Sequence, residues 1–201
     1  MNIKVIAAGA ALIACQSAFA GIAYDNFGPG DTYNTNVGYT ANNSFQSACQ
    51  FTSADSGRLL SVTVGWSIFD GPNSGVVTLY NDNSNQVGSF ITSWGFTNQG
   101  GPFPGQNTPV TLTNAFPSIT LTAGQKYWVE VAPGNSATYG IWNFNNTGAG
   151  GLRAKSQDGG ATYTYDNNFA TGSMRIETVP EPASMVVLGL GALALRRRRK
   201  A

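Results

Sequence analysis

The sequence predicts an all-β fold: a single β-sandwich or jelly-roll domain flanked by an N-terminal signal peptide and a short C-terminal apolar helix. Three observations lead there. Between residues 21 and 178 no apolar pattern of helical period persists, whereas strict alternation of apolar and polar residues recurs. Gly, Asn, Asp, Ser and Pro punctuate the alternating stretches at the spacing of sandwich turns. Only 10% of residues are charged and none is His, while aromatic and β-branched residues abound.

The clearest strand is Leu59 to Ile68. Leu60, Val62, Val64, Trp66 and Ile68 share one face, and Ser61, Thr63, Gly65 and Ser67 share the other. Asp70-Gly71-Pro72-Asn73 makes a turn, and Val76 to Tyr80 begins the next strand. Asn81 to Asn85 turns the chain into Ser89 to Phe96. The segment Asn98 to Asn107, with three glycines and two prolines, reads as a long surface loop. Ile119 to Leu121 enters the turn Thr122-Ala123-Gly124-Gln125, which leads to a strand at Lys126 to Val131. Tyr139 to Phe144 follows, and Gly148 to Gly151 is a loop. Short strands come near Leu152 to Ser156, Thr162 to Tyr165 and Met174 to Thr178, with Asp158-Gly159-Gly160 as a hairpin turn. Eight to ten such strands are long enough together to enclose a core.

The formal net charge of +1 hides an uneven distribution. Lys4 and the run Arg196 to Lys200 lie in the ends. Between Gly21 and Pro180 stand five basic residues (Arg58, Lys126, Arg153, Lys155, Arg175) and nine acids, a net of −4. Such a domain has no electrostatic footprint for nucleic acid.

Both ends read as targeting segments. Residues 1–20 have the order of a secretory signal peptide: Lys4, a short apolar stretch from Val5 to Ala14, then Ala18-Phe19-Ala20 as the small-residue cleavage site before Gly21. Leu12-Ile13-Ala14-Cys15 offers a competing reading as a lipobox, with Cys15 acylated. Residues 179–201 form the sorting tail. Val179-Pro180-Glu181-Pro182 is a rigid break. Ala183 to Leu195 is an apolar run of about 20 Å as a helix, short for a hydrocarbon core of about 30 Å. Arg196, Arg197, Arg198, Arg199 and Lys200 then hold the cytoplasmic side by the positive-inside rule.

Pro180-Glu181-Pro182, an apolar helix and the cluster Arg196 to Arg199, in that order, resemble the PEP-CTERM sorting signal of Gram-negative bacteria. The resemblance covers the last 23 residues. It implies export through the secretion machinery, transient anchoring in the inner membrane, and recognition by an exosortase, a membrane enzyme that cuts near the motif. It further implies a link to exopolysaccharide and biofilm matrix at the cell surface or beyond it. A plain C-terminal anchor competes with this reading, although the apolar run spans poorly. The middle resembles the choice-of-anchor family of exported β-sandwiches through Tyr24-Asp25-Asn26-Phe27, Val62-Thr63-Val64, Val77-Thr78-Leu79-Tyr80 and Leu121 to Trp128. That likeness implies a fold and an extracellular setting and carries no activity.

Chemistry is sparse. Without His, neither a Ser-His-Asp triad nor a His-based zinc site can be built. Cys49 is the single cysteine after Ala20, so no internal disulfide forms there. It reads as a small buried residue, with intermolecular bridging as the alternative. Glu130, on a strand with Lys126 and Trp128, is the carboxylate to weigh for glycosidase chemistry, but it lacks an acid/base partner and reads as a surface residue. Asp82, Asn83 and Asn85, and separately Asp70 and Asn73, offer oxygens to calcium without EF-hand spacing. Turn formation explains both sets. No catalytic residue, bound metal or cofactor is expected.

Glycan binding is the positive alternative to a purely structural matrix role. Trp66 belongs to the core by its alternation. Trp128 alternates with Tyr127, Val129 and Val131, so a core on the valine face exposes it and makes it the candidate glycan contact. Trp94 and Trp142 are not placed by pattern alone.

Overall fold

A computed structural model describes residues 20–115 and 118–179. The signal-peptide core, Ala18, the Pro180-Glu181-Pro182 tripeptide, the apolar run and the arginine cluster lie outside the described residues. Within them the chain is all-β and contains no helix.

The strands are β1 (Gly21–Asp25), β2 (Gly38–Ala41), β3 (Gln46–Thr52), β4 (Gly57–Val64) and β5 (Trp66–Asp70). Then come β6 (Ser74–Asp82), β7 (Val87–Thr97), β8 (Gly101–Pro102), β9 (Val110–Thr113) and β10 (Thr120–Leu121). The chain closes with β11 (Lys126–Pro133), β12 (Tyr139–Asn143), β13 (Gly150–Ser156), β14 (Thr164–Ala170) and β15 (Met174–Val179).

One layer is a six-stranded antiparallel sheet in the order β14-β13-β3-β11-β6-β7. The opposite layer joins two smaller sheets, β1-β15-β4 with β9 and β10 along the far edge of β4, and β2-β12-β5-β8. The core lies between the layers. Cys49, Phe51, Val77, Leu79, Val129 and Val131 enter from the first; Val62, Val64, Trp66, Trp142, Met174 and Ile176 enter from the second. Trp66 and Trp142 are both fully buried, which places the former as expected and settles the latter. Trp94 is partly buried against this same core.

The run read as one strand from Leu59 to Ile68 is two strands in two sheets, and Gly65 is the reason. Its N–H donates to Ser173 O at 3.1 Å and its carbonyl accepts from Asn143 N at 2.8 Å, so one residue stitches the smaller sheets together. An added Cβ there would lie 2.1 Å from Ser173 Oγ. A second departure is the bulge at Leu60. Ser61 pairs with Glu177 and Leu59 with Thr178, so Leu60 is the extra residue and Leu59 takes its place in the core. The loop expected at Asn98 to Asn107 is present except for β8, which runs two residues parallel to β5.

Register gives the sandwich two distinct ends. At one end Thr52, Lys126, Leu121, Gly57, Val179 and Gly21 are neighbours: Lys126 pairs with Thr52, Leu121 with Gly57, Val179 with Arg58 and Gly21 with Thr178. We call this the tail end. β3 spans from there to Gln46, a rise of about 20 Å at ~3.3 Å per residue. The far end holds Gln46, the β5–β6 turn and the start of β12.

Turn chemistry fits where it was expected. Ser84 and Asn85 both have positive φ (54° and 66°), and Asn83 and Gln86 exchange backbone hydrogen bonds, so β6 and β7 are joined by a two-residue hairpin whose twist suits the strands. Gly124 (φ 80°) closes the turn before β11.

Candidate functional site

The outer face of the six-stranded sheet is not a free surface. Trp128 lies there, as its alternation against Val129 requires, yet it is 0% exposed. It packs with Ala48 and Ala154 under Tyr80, Val87, Leu152, Tyr163 and Tyr165. Tyr165 pairs with Ala154, Ala154 with Ala48 and Ala48 with Glu130. Two alanines in that row let Tyr165 of the edge strand, and Tyr163 just before it, reach over β13 and β3. The Tyr165 ring meets Trp128 edge-on at 5.9 Å, and its hydroxyl accepts from Val87 N on the opposite edge of the sheet at 3.2 Å. The expectation that Trp128 contacts glycan is therefore corrected: no ring face is left to stack on a sugar.

Glu130 is corrected in the same way. It is 3% exposed, and its two oxygens accept from Tyr163 Oη (2.7 Å) and Tyr80 Oη (2.9 Å). Burial raises its pKa above the ordinary carboxylate value, against the opposing pull of the two phenols. The same arrangement pushes the Tyr80 phenol up to about 12, by burial first and by the neighbouring carboxylate second.

The oxygen-bearing turns are engaged in bonds of their own. Asp82 Oδ1 accepts from Gln50 Nε2 (2.7 Å) and Trp128 Nε1 (2.8 Å), and Oδ2 from Asn85 N (3.0 Å). Burial works to raise the Asp82 pKa, but these bonds outweigh it and the net shift is downward. Asn85 Oδ1 carries the Lys126 ammonium at 2.7 Å. In the other turn Asp70 Oδ1 accepts from Gly71 N, and Asn73 Oδ1 from Trp66 Nε1 at 3.1 Å. Cys49 is fully buried, and burial pushes its thiol up to about 12.

Of the exposed aromatics among the described residues, Phe90 (61%) and Phe169 (44%) lie on the edge strands β7 and β14 of the six-stranded sheet, and the other three gather at the far end. Phe69 is 58% exposed, Phe45 41% and Tyr139 37%. A bulge sets Phe69 out, because Tyr139 pairs with Asp70 and Gly140 with Ile68, leaving Phe69 unpaired between them. Its ring lies 5.0 Å from that of Tyr139 and 6.3 Å from that of Phe103. Phe103 is fixed by its N–H bond to Ile68 O at 2.8 Å. Tyr139 also lines a groove of about 360 Å³ between the two layers, together with Phe45, Asn42, Gln46, Arg153 and Lys155. Asn42 Oδ1 accepts from Ser44 N and Phe45 N, which holds the turn that lifts Phe45 to the rim.

The cations of this groove differ. Arg153 is pinned: its guanidinium pairs with Asp166 and lies over the rings of Phe169 (4.2 Å) and Tyr39 (5.0 Å). Lys155 is a partly buried residue whose ammonium has no ion pair or hydrogen bond among the described residues. Sequence reasoning missed Phe45, Phe69, Phe103, Tyr139 and Lys155. A signal existed for three of the rings: Asn42-Asn43-Ser44-Phe45, Phe69-Asp70-Gly71-Pro72 and Gly101-Pro102-Phe103-Pro104 set large aromatics among turn formers, where a core position is not required.

At the tail end, β15 runs through Val179, directly before Pro180. Residues 178–200 match the family described as the PEP-CTERM protein-sorting motif. The chain carries a PEP-CTERM sorting motif. It indicates export, handling by an exosortase and a tail held transiently in the membrane. The match overlaps the sandwich itself, since Thr178 is fully buried and paired with both Leu59 and Gly21. Ala20, the last residue of the expected signal peptide, is exposed just before β1. No curated protein matches the chain.

Proposed function

We propose that this is an exported surface or extracellular-matrix protein that an exosortase processes at its tail and that works in association with exopolysaccharide. The observation that carries the proposal is the sorting motif, which begins within the last two residues of β15. The domain is a choice-of-anchor type sandwich in this reading, a binding or structural module and not an enzyme. The carboxylate of Glu130, sealed under two tyrosines, supports a structural role for that residue. The role needs no cofactor. The final location is the cell surface or the surrounding matrix.

A second reading, a carbohydrate-binding module for extracellular polysaccharide, is favoured by one feature. The exposed rings of Phe69, Tyr139 and Phe45 sit at the end opposite the tail, where a polymer would meet the domain. Flat aromatic faces pack on the C–H faces of sugar rings.

The deciding measurement is the intact mass of the protein recovered from outside native cells. A mass ending near Pro182 supports exosortase processing. A mass that retains Ala183 to Ala201 overturns it and makes the tail a permanent anchor.

A further inference from the structure

We infer that the groove between β2–β3 and β12–β13 binds an acidic polysaccharide, with Tyr139 and Phe45 packing on sugar rings and Lys155 pairing with carboxylate groups. This rests on the polysaccharide reading above and adds the chemical class of the polymer. Charge is the first argument. The domain is acidic, yet the groove is lined by two of its five basic residues and by no Asp or Glu. Arg153 is already balanced by Asp166, so its charge serves to order the wall. Lys155 is not balanced, and an ammonium without a partner gains from an anion brought to it. Shape is the second argument. Exposed rings continue beyond the groove from Tyr139 to Phe69, which packs against the partly buried Phe103, giving an extended track and not a closed pit. A chain polymer fits such a track better than a monosaccharide. The remaining lining groups, Asn42, Gln46, Thr40 and Ser47, supply the neutral hydrogen-bonding groups that hydroxyls need.

The test is affinity electrophoresis of the exported protein through gels loaded with polygalacturonate, alginate or hyaluronate, and in parallel with neutral hydroxyethylcellulose or with DNA. The expected result is retardation by at least one acidic polysaccharide, fading as salt rises above about 0.15 M. Lys155→Ala should weaken it by about tenfold, the scale of one charge-assisted hydrogen bond. Lys126→Ala removes the same charge at the tail end and should leave retardation unchanged. Phe69→Ala, at a position 58% exposed, should weaken it as well while leaving the thermal unfolding midpoint near that of the wild type.

Equal retardation in the neutral gel, unaffected by Lys155→Ala, overturns the acidic class and leaves the polysaccharide reading standing. Equal loss with Lys126→Ala, or stronger retardation by DNA, overturns it in favour of unspecific charge. No retardation in any gel overturns the groove as a site, while the intact mass still reports separately on sorting.

Discussion

The six-stranded sheet buries a carboxyl group where burial shifts its titration upward. Glu130 is 3% exposed, and burial raises its pKa above the ordinary value near 4.5 although Tyr163 and Tyr80 donate to it. The folded state therefore binds this proton more tightly than the unfolded chain does. The stabilisation is complete below the unfolded value and is lost as pH rises through the raised folded value. One proton limits the slope to about 1.4 kcal/mol per pH unit. For a domain of this size that is about 3–6 °C in Tm per unit. Glu130→Gln removes the titration and keeps the shape. The amide carbonyl accepts from one phenol, and the other phenol turns to accept from the amide N–H. Thermal unfolding of both proteins between pH 4.5 and 8 is the assay. The wild type should lose stability with rising pH over part of this range, and the variant should stay flat. Asp158, held down to about 2 by the hydroxyl and N–H of Thr162, acts with the opposite sign and only below its ordinary 3.8, so the two windows do not overlap. Parallel profiles for wild type and variant above pH 4.5 would refute the assignment of Glu130 as a buried, proton-binding group.

The other expectations concern packing and reactivity. Trp128→Ala should cost about 3–5 kcal/mol, because it empties the space beneath Tyr165 and strips a donor from Asp82. A denaturant midpoint equal to the wild type would return Trp128 to the surface. Gly140→Ala sets a Cβ 1.8 Å from the Trp66 ring and should cost about 1–3 kcal/mol by calorimetry, whereas Gly95→Ala, with open space around it, should be near neutral. Cys49 should react with a thiol reagent at pH 8 only as fast as the domain unfolds, given its full burial and a thiol pushed up to about 12. Prompt labelling of the folded protein would contradict that placement.

Much of the fold could be read from pattern because β15 alternates cleanly and β6, β11 and β12 are runs of β-branched and aromatic residues bounded by turn formers. β1, β2, β3, β8 and β9 were missed; β1, β2, β8 and β9 are short, β2 is half Gly and Thr, and β3 has only Cys49 and Phe51 as large apolar residues, so their apolar signal is weak. The alternation of Trp128 was read correctly and its exposure was not. A period of two assigns a residue to one of two faces and says nothing about what covers the second face. That cover comes from Tyr163 and Tyr165, some 35 residues away, and depends on Ala48 and Ala154 lying between. Such a row exists only once strand pairing is known. The far-end aromatics escaped for a related reason: Phe69 owes its exposure to a bulge, and a bulge is a disagreement between two strands that neither sequence displays alone.

The antiparallel pairing of β1 with β15 and of β15 with β4 has a mechanical meaning. A polymer pulling at the far end, against a tether at Val179, loads these strands along their length. Shear of that kind strains the whole ladder from Met174↔Val64 to Val179↔Arg58 together, where peeling would break one bond after another. Were the domain anchored at that end and loaded at the other, as the proposed function has it, these two ladders would act as a lap joint, strongest along the direction of pull.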